Sequence, residues 1–146
     1  TEWNAHITDQ LEMGCIAELE KLGVKKTVVI TVPGAFEIPF AIKNYYETAG
    51  KKNKADAFIA LGCVIKGDTP HFEYVCQAIT NGVLQLILLL PVPTIFGVLT
   101  VNTEEQAIER IGGKHGHKGE EAAITAMKMI SPVSIKGRVK TKNLKK

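Results

Sequence analysis

Ala57-Phe58-Ile59-Ala60-Leu61-Gly62-Cys63 is an apolar run of strand length with almost no polar alternation. A strand with one wet face alternates apolar and polar residues, so a run without alternation is covered on both faces, as in a parallel sheet. Two other runs read the same way. Thr27-Val28-Val29-Ile30-Thr31-Val32 is dominated by β-branched residues and stops at Pro33-Gly34, and Thr94-Ile95-Phe96-Gly97-Val98-Leu99-Thr100 is the third predicted strand. Helical patterns alternate with them. Ile7, Leu11, Cys15, Leu19 and Leu22 recur at spacings of three or four, which predicts a helix over 7–22 that stops at Gly23. Further helices are predicted over 36–46, from His71 or Phe72 to about Leu88, and over 120–130, the last ended by Pro132. Thr103 with Gln106 matches a capping box and opens a helix that runs to about Arg110. Residues 48–54 and the glycine-rich, basic stretch 112–119 read as loops.

Strand and helix alternate three times after the opening helix. That pattern predicts an α/β domain with a central parallel sheet and helices on both faces. Residues 1–130 contain no linker and no repeat, and read as one domain. A domain of this kind usually opens on a strand, so a strand ahead of residue 1 is expected. Residues 131–146 read as a basic tail.

Composition narrows the function classes. The 146 residues are 45% hydrophobic and 23% charged, the balance of a chain that builds a core. Cys15, Cys63 and Cys76 are three, widely spaced and without a CxxC pair, which argues against a zinc knuckle or disulfide framework and for reduced thiols. The apolar run at 86–90 is short and is followed by Pro91 and Pro93, so no bilayer-spanning helix is expected. Thr1-Glu2-Trp3-Asn4 lacks the pattern of a signal peptide. A cytoplasmic location is expected, with a plastid address ahead of residue 1 left open. Net charge is +3, but six basic residues and no acidic ones fall in 136–146, and the remaining chain has 12 basic against 15 acidic residues. The tail reads as a solvated segment, with a nucleic-acid or membrane-surface contact as the sharper alternative. Nothing in the composition marks a nucleic-acid-binding fold, so neither a nucleic-acid nor a membrane partner is expected.

Ligands of open α/β sheets bind beyond the carboxyl ends of the strands. The segments that follow the predicted strands are therefore the candidates. His71 opens a helix there, and an imidazole can take and return a proton near neutral pH. Lys66-Gly67-Asp68-Thr69 is a glycine-bearing turn before that helix, suited either to a phosphate or to a plain cap at Asp68. Arg110 and Lys118 bracket the glycine-rich loop and offer cationic donors. His115 and His117 form an HxH pair without companion ligands, so no metal is expected. Glu37 starts a helix near the rim, Trp3 is the only tryptophan and can stack on a flat ring, and Cys63 reads as a small buried hydrophobe.

These segments together resemble the 6,7-dimethyl-8-ribityllumazine synthase family. The resemblance rests on Trp3-Asn4, Val32-Pro33-Gly34-Ala35-Phe36-Glu37-Ile38-Pro39, Leu61 through Phe72, Phe96-Gly97-Val98-Leu99-Thr100, Glu105 through Arg110, Gly112 through Gly116 and Lys118-Gly119, in family order over residues 1 to about 130. It implies a flavodoxin-like three-layer α/β/α domain that assembles into homopentamers, in some members into sixty-subunit shells, with active sites between neighbouring subunits. It implies the substrates 5-amino-6-(D-ribitylamino)uracil and 3,4-dihydroxy-2-butanone 4-phosphate, and neither metal nor organic cofactor. By position, Trp3 resembles the aromatic that stacks on the pyrimidine, with Asn4 beside it. Ala35, Phe36 and Glu37 match the segment around the pyrimidine and ribityl chain, and Cys63, Val64 and Ile65 a second segment around the same substrate. Asp68 and Thr69 match the phosphate turn, Arg110 the cationic clamp and His71 the proton-transfer histidine. Phe96 matches the aromatic contributed across the subunit boundary, and Lys118 a further cation. Three departures stand out. The family's first strand would precede Trp3, the 86–90 stretch is more apolar than usual and suits an interface, and 131–146 does not match the family's C-terminal end. A catalytically silent flavin-binding or shell-forming protein of the same fold is the alternative, and the presence of Glu37, His71 and Arg110 argues against it.

Overall fold

The computed structural model describes residues 1–131, so the expected helix stop at Pro132 and all but the first residue of the basic tail lie outside the described residues. Helix α1 (Ala5–Lys21) comes first, followed by a 3-10 turn (Ala35–Glu37) that leads directly into α2 (Ile38–Thr48). Strand β1 (Phe58–Ile65), helix α3 (His71–Leu89) and strand β2 (Thr94–Val101) form the crossover unit expected of parallel neighbours. β1 pairs with β2 in parallel from Phe58↔Thr94 to Ile65↔Val101 without a register break. Short α4 (Glu104–Ile108), an antiparallel hairpin of β3 (Ile111–Gly113) and β4 (Gly116–His117), and α5 (Lys118–Ile130) complete the chain.

Alternation along the two strands divides the core into two faces. Ala60 and Val98, with Phe58, Val64 and Phe96 at their margin, pack on Ile38 and Ile42 of α2 and on Ile79, Val83 and Leu86 of α3. On the other face Cys63 and Leu99 meet Ile7 and Leu11 of α1, and Ile95 meets Ala122 and Ala126 of α5. This is the three-layer α/β/α arrangement expected. Each large apolar side chain removed from water contributes about 1.5–3 kcal/mol, which makes these two faces the main source of stability. α1 and α5 approach so closely that a Cβ at Gly119 would collide with the Leu11 carbonyl oxygen, and one at Gly14 with the His117 ring. α1 stops as expected, at Gly23 with φ +87°, a conformation that side-chain-bearing residues rarely adopt.

Two expectations are corrected. Residues 27–32 are not a strand and form no ladder among the described residues. Among the described residues their one backbone hydrogen bond to a neighbouring segment runs from the Glu2 N–H to the Val32 carbonyl, 2.9 Å. Val28, Val29 and Ile30 are about half exposed, and a groove of about 390 Å³ lies between this segment and β1. β-propensity describes how a side chain suits a pleated surface, while a strand also needs a partner within hydrogen-bonding reach. The glycine-rich stretch 112–119 is likewise not a plain loop but the β3–β4 hairpin and the first turn of α5. Smaller differences are at boundaries: β1 reaches Ile65, so Val64 and Ile65 lie within a strand, and α4 ends at Ile108. α3, with 19 residues and mean hydropathy 1.3, passes a length-and-composition test for a membrane span, as core helices of globular domains also do. Its Ile79, Val83 and Leu86 face the sheet and are almost fully buried.

Candidate functional site

The carboxyl end of β1 gathers one group of residues. Asn4 holds the left-handed conformation (φ 58°) at the start of α1, and its Nδ2 donates to the Cys63 carbonyl at 3.0 Å. Asparagine is among the few residues that tolerate this backbone, and the bond pins α1 to the strand end. The Trp3 N–H donates to the Pro33 carbonyl at 3.1 Å, which sets the indole beside Gly34. Trp3 and Phe36 are exposed apolar rings, at 67% and 58%. Between them the Glu37 carboxylate accepts from the Gly34 N–H through Oε2 at 3.0 Å, and its other oxygen has no partner among the described residues. Ala35 is buried in the core cluster with Ile38, so only its main chain is available to a ligand. The same holds at Cys63, whose thiol is buried and pushed up to about 11, first by that burial and then by the Glu104 charge. Such a thiol is no nucleophile at neutral pH. Val64 and Ile65 pack on opposite faces of the sheet, which again leaves the strand backbone toward the rim.

Beyond β1 the turn 66–70 is exposed, and the Lys66 N–H continues the ladder to the Val101 carbonyl at 2.9 Å. α3 has Pro70 as its N-cap residue with no side-chain cap, so Asp68 does not act as the cap. Asp68, Thr69 and His71 make no side-chain hydrogen bond among the described residues, and all three are exposed at the head of α3. Trp3, Asn4, Phe36, Glu37 and the Cys63–Ile65 backbone thus share one rim, with Asp68, Thr69 and His71 on the turn that leaves it.

Phe96, Arg110 and Lys118 lie elsewhere. A groove of about 560 Å³ runs from the end of α3 to α5 across the start of β2, and Ile87, Phe96, Lys118, Glu121 and Met129 are among its lining residues. Thr94 also lines it, and its buried hydroxyl has no hydrogen-bond partner among the described residues. Arg110 Nη2 donates to both Glu121 carboxylate oxygens, at 2.9 and 3.0 Å, and its Nη1 donates to the His115 carbonyl. Lys118 Nζ is 3.5 Å from the same Glu121. Partial burial raises the Glu121 carboxyl, but the hydrogen bond and charge of Arg110, with the charge of Lys118, outweigh it and hold the group below the usual carboxylate range. Phe96 pairs with Ala60, whereas the rim lies beyond Ile65. Five residues of strand separate those levels, about 16 Å. One chain therefore presents two surfaces, one with the imidazole and the other with the guanidinium.

Sequence reasoning missed Glu121. Its spacing of three from Lys118 on one helix face was legible, but its bond to Arg110 crosses a hairpin. The HxH pair also separates: His115 faces Glu109 at 3.3 Å, and His117 Nδ1 accepts from the Gly119 and Glu120 N–H groups as the cap of α5.

These features define a class: a flavodoxin-like α/β domain with polar and aromatic groups at the carboxyl-end rim and a separate cationic groove. Comparison with known proteins narrows it, and the chain belongs to the 6,7-dimethyl-8-ribityllumazine synthase family, whose model matches residues 1–133. It is similar to the 6,7-dimethyl-8-ribityllumazine synthase of Bacteroides fragilis, 50% identical over 89% of this chain and 90% of that protein. It is also similar to those of Parabacteroides distasonis, 49% identical over 89% of this chain and 80% of that one, and of Porphyromonas gingivalis, 51% identical over 88% and 78%.

Proposed function

We propose that this chain condenses 5-amino-6-(D-ribitylamino)uracil with 3,4-dihydroxy-2-butanone 4-phosphate to 6,7-dimethyl-8-ribityllumazine, with release of phosphate and water, in riboflavin biosynthesis. Family membership supports the reaction. The division of the chemistry between two surfaces of one chain supports an active site completed by a second copy. In this reading one subunit supplies the rim. Trp3 stacks on the pyrimidine, Phe36 and the strand backbone of Cys63, Val64 and Ile65 flank it, and the free oxygen of Glu37 accepts from ribityl hydroxyls. Asn4 holds the rim together, and the main chain at Ala35 faces the ring. The neighbouring copy supplies Phe96 as the opposite wall, with Arg110 and Lys118 toward the phosphate held at Asp68 and Thr69.

The residue types suit the steps. An aryl amine attacks the ketone and water leaves to give an imine, phosphate is eliminated, and ring closure releases a second water. Each step moves a proton, and His71 is the group at the rim able to take and return one. Departing phosphate needs fixed positive charge, and Glu121 holds the Arg110 guanidinium in one orientation before substrate arrives. Holding two reactants in register supplies much of the remaining acceleration.

Such an enzyme assembles as a homopentamer or a multiple of it, the icosahedral shell included. Residues 1–130 form its single domain. Three free cysteines suit a cytoplasmic location. The test is lumazine formation from both substrates, followed by absorbance and fluorescence against an enzyme-free control. A saturable rate above the control supports the reading, and a folded, assembled sample that adds nothing to the control contradicts it.

A further inference from the structure

α5 begins in a way that helix stability alone does not select. Its first residue is Lys118, a cation placed where the field of a helix N-terminus disfavours one. Its cap is His117, whereas the strongest caps are Asn, Asp and Ser. The imidazole caps through Nδ1, which accepts from the Gly119 N–H at 3.2 Å and from the Glu120 N–H at 3.4 Å. An accepting Nδ1 makes this the uncharged ring with its proton on Nε2. The ring is seated from two sides. It lies against Gly14 of α1, where a Cβ would collide with it, and its Cδ2 is 3.8 Å from where a Cβ would stand at Gly112 in β3. Next in the chain, the Lys118 N–H donates to the Arg110 carbonyl at 2.8 Å, so cap and hairpin together fix the main chain of Lys118. Lys118 needs that support more than Arg110 does. The Arg110 guanidinium is held by Glu121 and by the His115 carbonyl, whereas the Lys118 ammonium has, among the described residues, an ion pair of 3.5 Å to a Glu121 already bonded to Arg110.

We propose that His117 is a positioning residue for phosphate binding: an uncharged cap that aims Lys118 without cancelling its charge. The inference rests on the proposed reaction, in which Lys118 meets the phosphate of the butanone. Charge explains the choice of an imidazole. Arg110, Lys118 and Glu121 are in mutual contact, two cations against one anion, which leaves a net charge of +1. Aspartate would cap the helix at least as well, but its carboxylate, one residue from Lys118, would bring that sum to zero and oppose a phosphate. A neutral acceptor closes the helix and leaves the excess charge to the ligand. Serine would also be neutral, but it would leave empty the space over Gly14 in which the ring joins α5 to α1.

The experiment is steady-state kinetics of lumazine formation by the whole protein carrying His117→Ala, His117→Asn or His117→Asp, with KM measured for each substrate and the melting temperature of each variant recorded. His117→Ala should raise KM for the butanone phosphate by about tenfold, with kcat and KM for the pyrimidine within about twofold of wild type. His117→Asn should restore KM, because its Oδ1 can accept from the same two N–H groups. His117→Asp should melt no lower than His117→Asn and still raise that KM by about tenfold, a separation that a purely structural cap would not give. In a Lys118→Gln background, most of the difference between His117 and His117→Ala should vanish, because both residues act on one contact. An unchanged KM in His117→Ala, a KM in His117→Asp equal to that in His117→Asn, or equal losses for both substrates would overturn the inference and leave the reaction standing. Wild-type protein that forms no lumazine would overturn the proposed reaction itself, and this inference with it.

Discussion

Under the proposed function His71 carries protons and Arg110 holds phosphate, so substitutions at them should fail in different ways. His71→Ala should lower kcat by about 10²-fold with little change in either KM, because it removes a proton carrier rather than a binding contact. Arg110→Ala should chiefly raise KM for the butanone phosphate, and equal effects on both substrates would count against its role as the clamp. Glu121 adds a pH signature. Its carboxyl is held below its ordinary value of 4.5, so the ionised form is favoured by folding. Its contribution is therefore present above that value and is lost as pH falls through the lower folded one. The thermal-stability advantage of wild type over Glu121→Gln should accordingly be full at neutral pH and vanish in acid, and an advantage that grows in acid would contradict the assignment. At the cysteines, burial pushes Cys15 and Cys63 up to about 11. Cys76, half-buried on α3, should react first with a thiol reagent at mildly alkaline pH, and the other two only on unfolding. Mass spectrometry of the partly labelled protein reads that order. Most candidate site residues could be named from the sequence because the family pattern places them in short contiguous segments such as 34–37 and 61–72. The Arg110–Glu121 pair was not, because that contact depends on how the intervening hairpin folds back.

At the scale of elements, the paired strands were read correctly because covered strands lack polar alternation, a property of each segment alone. Residues 27–32 have the same β-branched character and form no ladder, because pairing depends on what lies beside the segment. The hairpin was missed for the opposite reason: three glycines within 112–116 hide two very short strands, and Gly116 turns the chain with φ 79°. Packing of α1 on α5 was not visible from either helix. It is testable at Gly119, where an added Cβ meets the Leu11 carbonyl oxygen. Main chain cannot give way as a flexible side chain would, so Gly119→Ala should cost about 1–3 kcal/mol or more in chemical denaturation. An unchanged midpoint would mean that the two helices are less tightly joined than described.

At the scale of the whole molecule, Phe96 stands about 16 Å along the sheet from the rim that leads to His71, and the Arg110 guanidinium is paired with Glu121, which lines the groove beside Phe96. In the proposed assembly a closed ring of copies would join each rim to a neighbour's groove. The exposed Trp3 and Phe36 rings and the apolar groove at the start of β2 are the faces such an assembly would cover. The central claim is that each active site takes His71 from one copy and Arg110 from the next. Its most direct test is to co-assemble His71→Ala with Arg110→Ala chains and assay lumazine formation at butanone-phosphate concentrations where each homo-oligomer is nearly inactive. Random mixing leaves about one boundary in four with both halves intact, so activity should return to about a quarter of wild type. If both halves belonged to one chain, every site in the mixture would have one defect, and activity would stay at the level of the two variants measured apart.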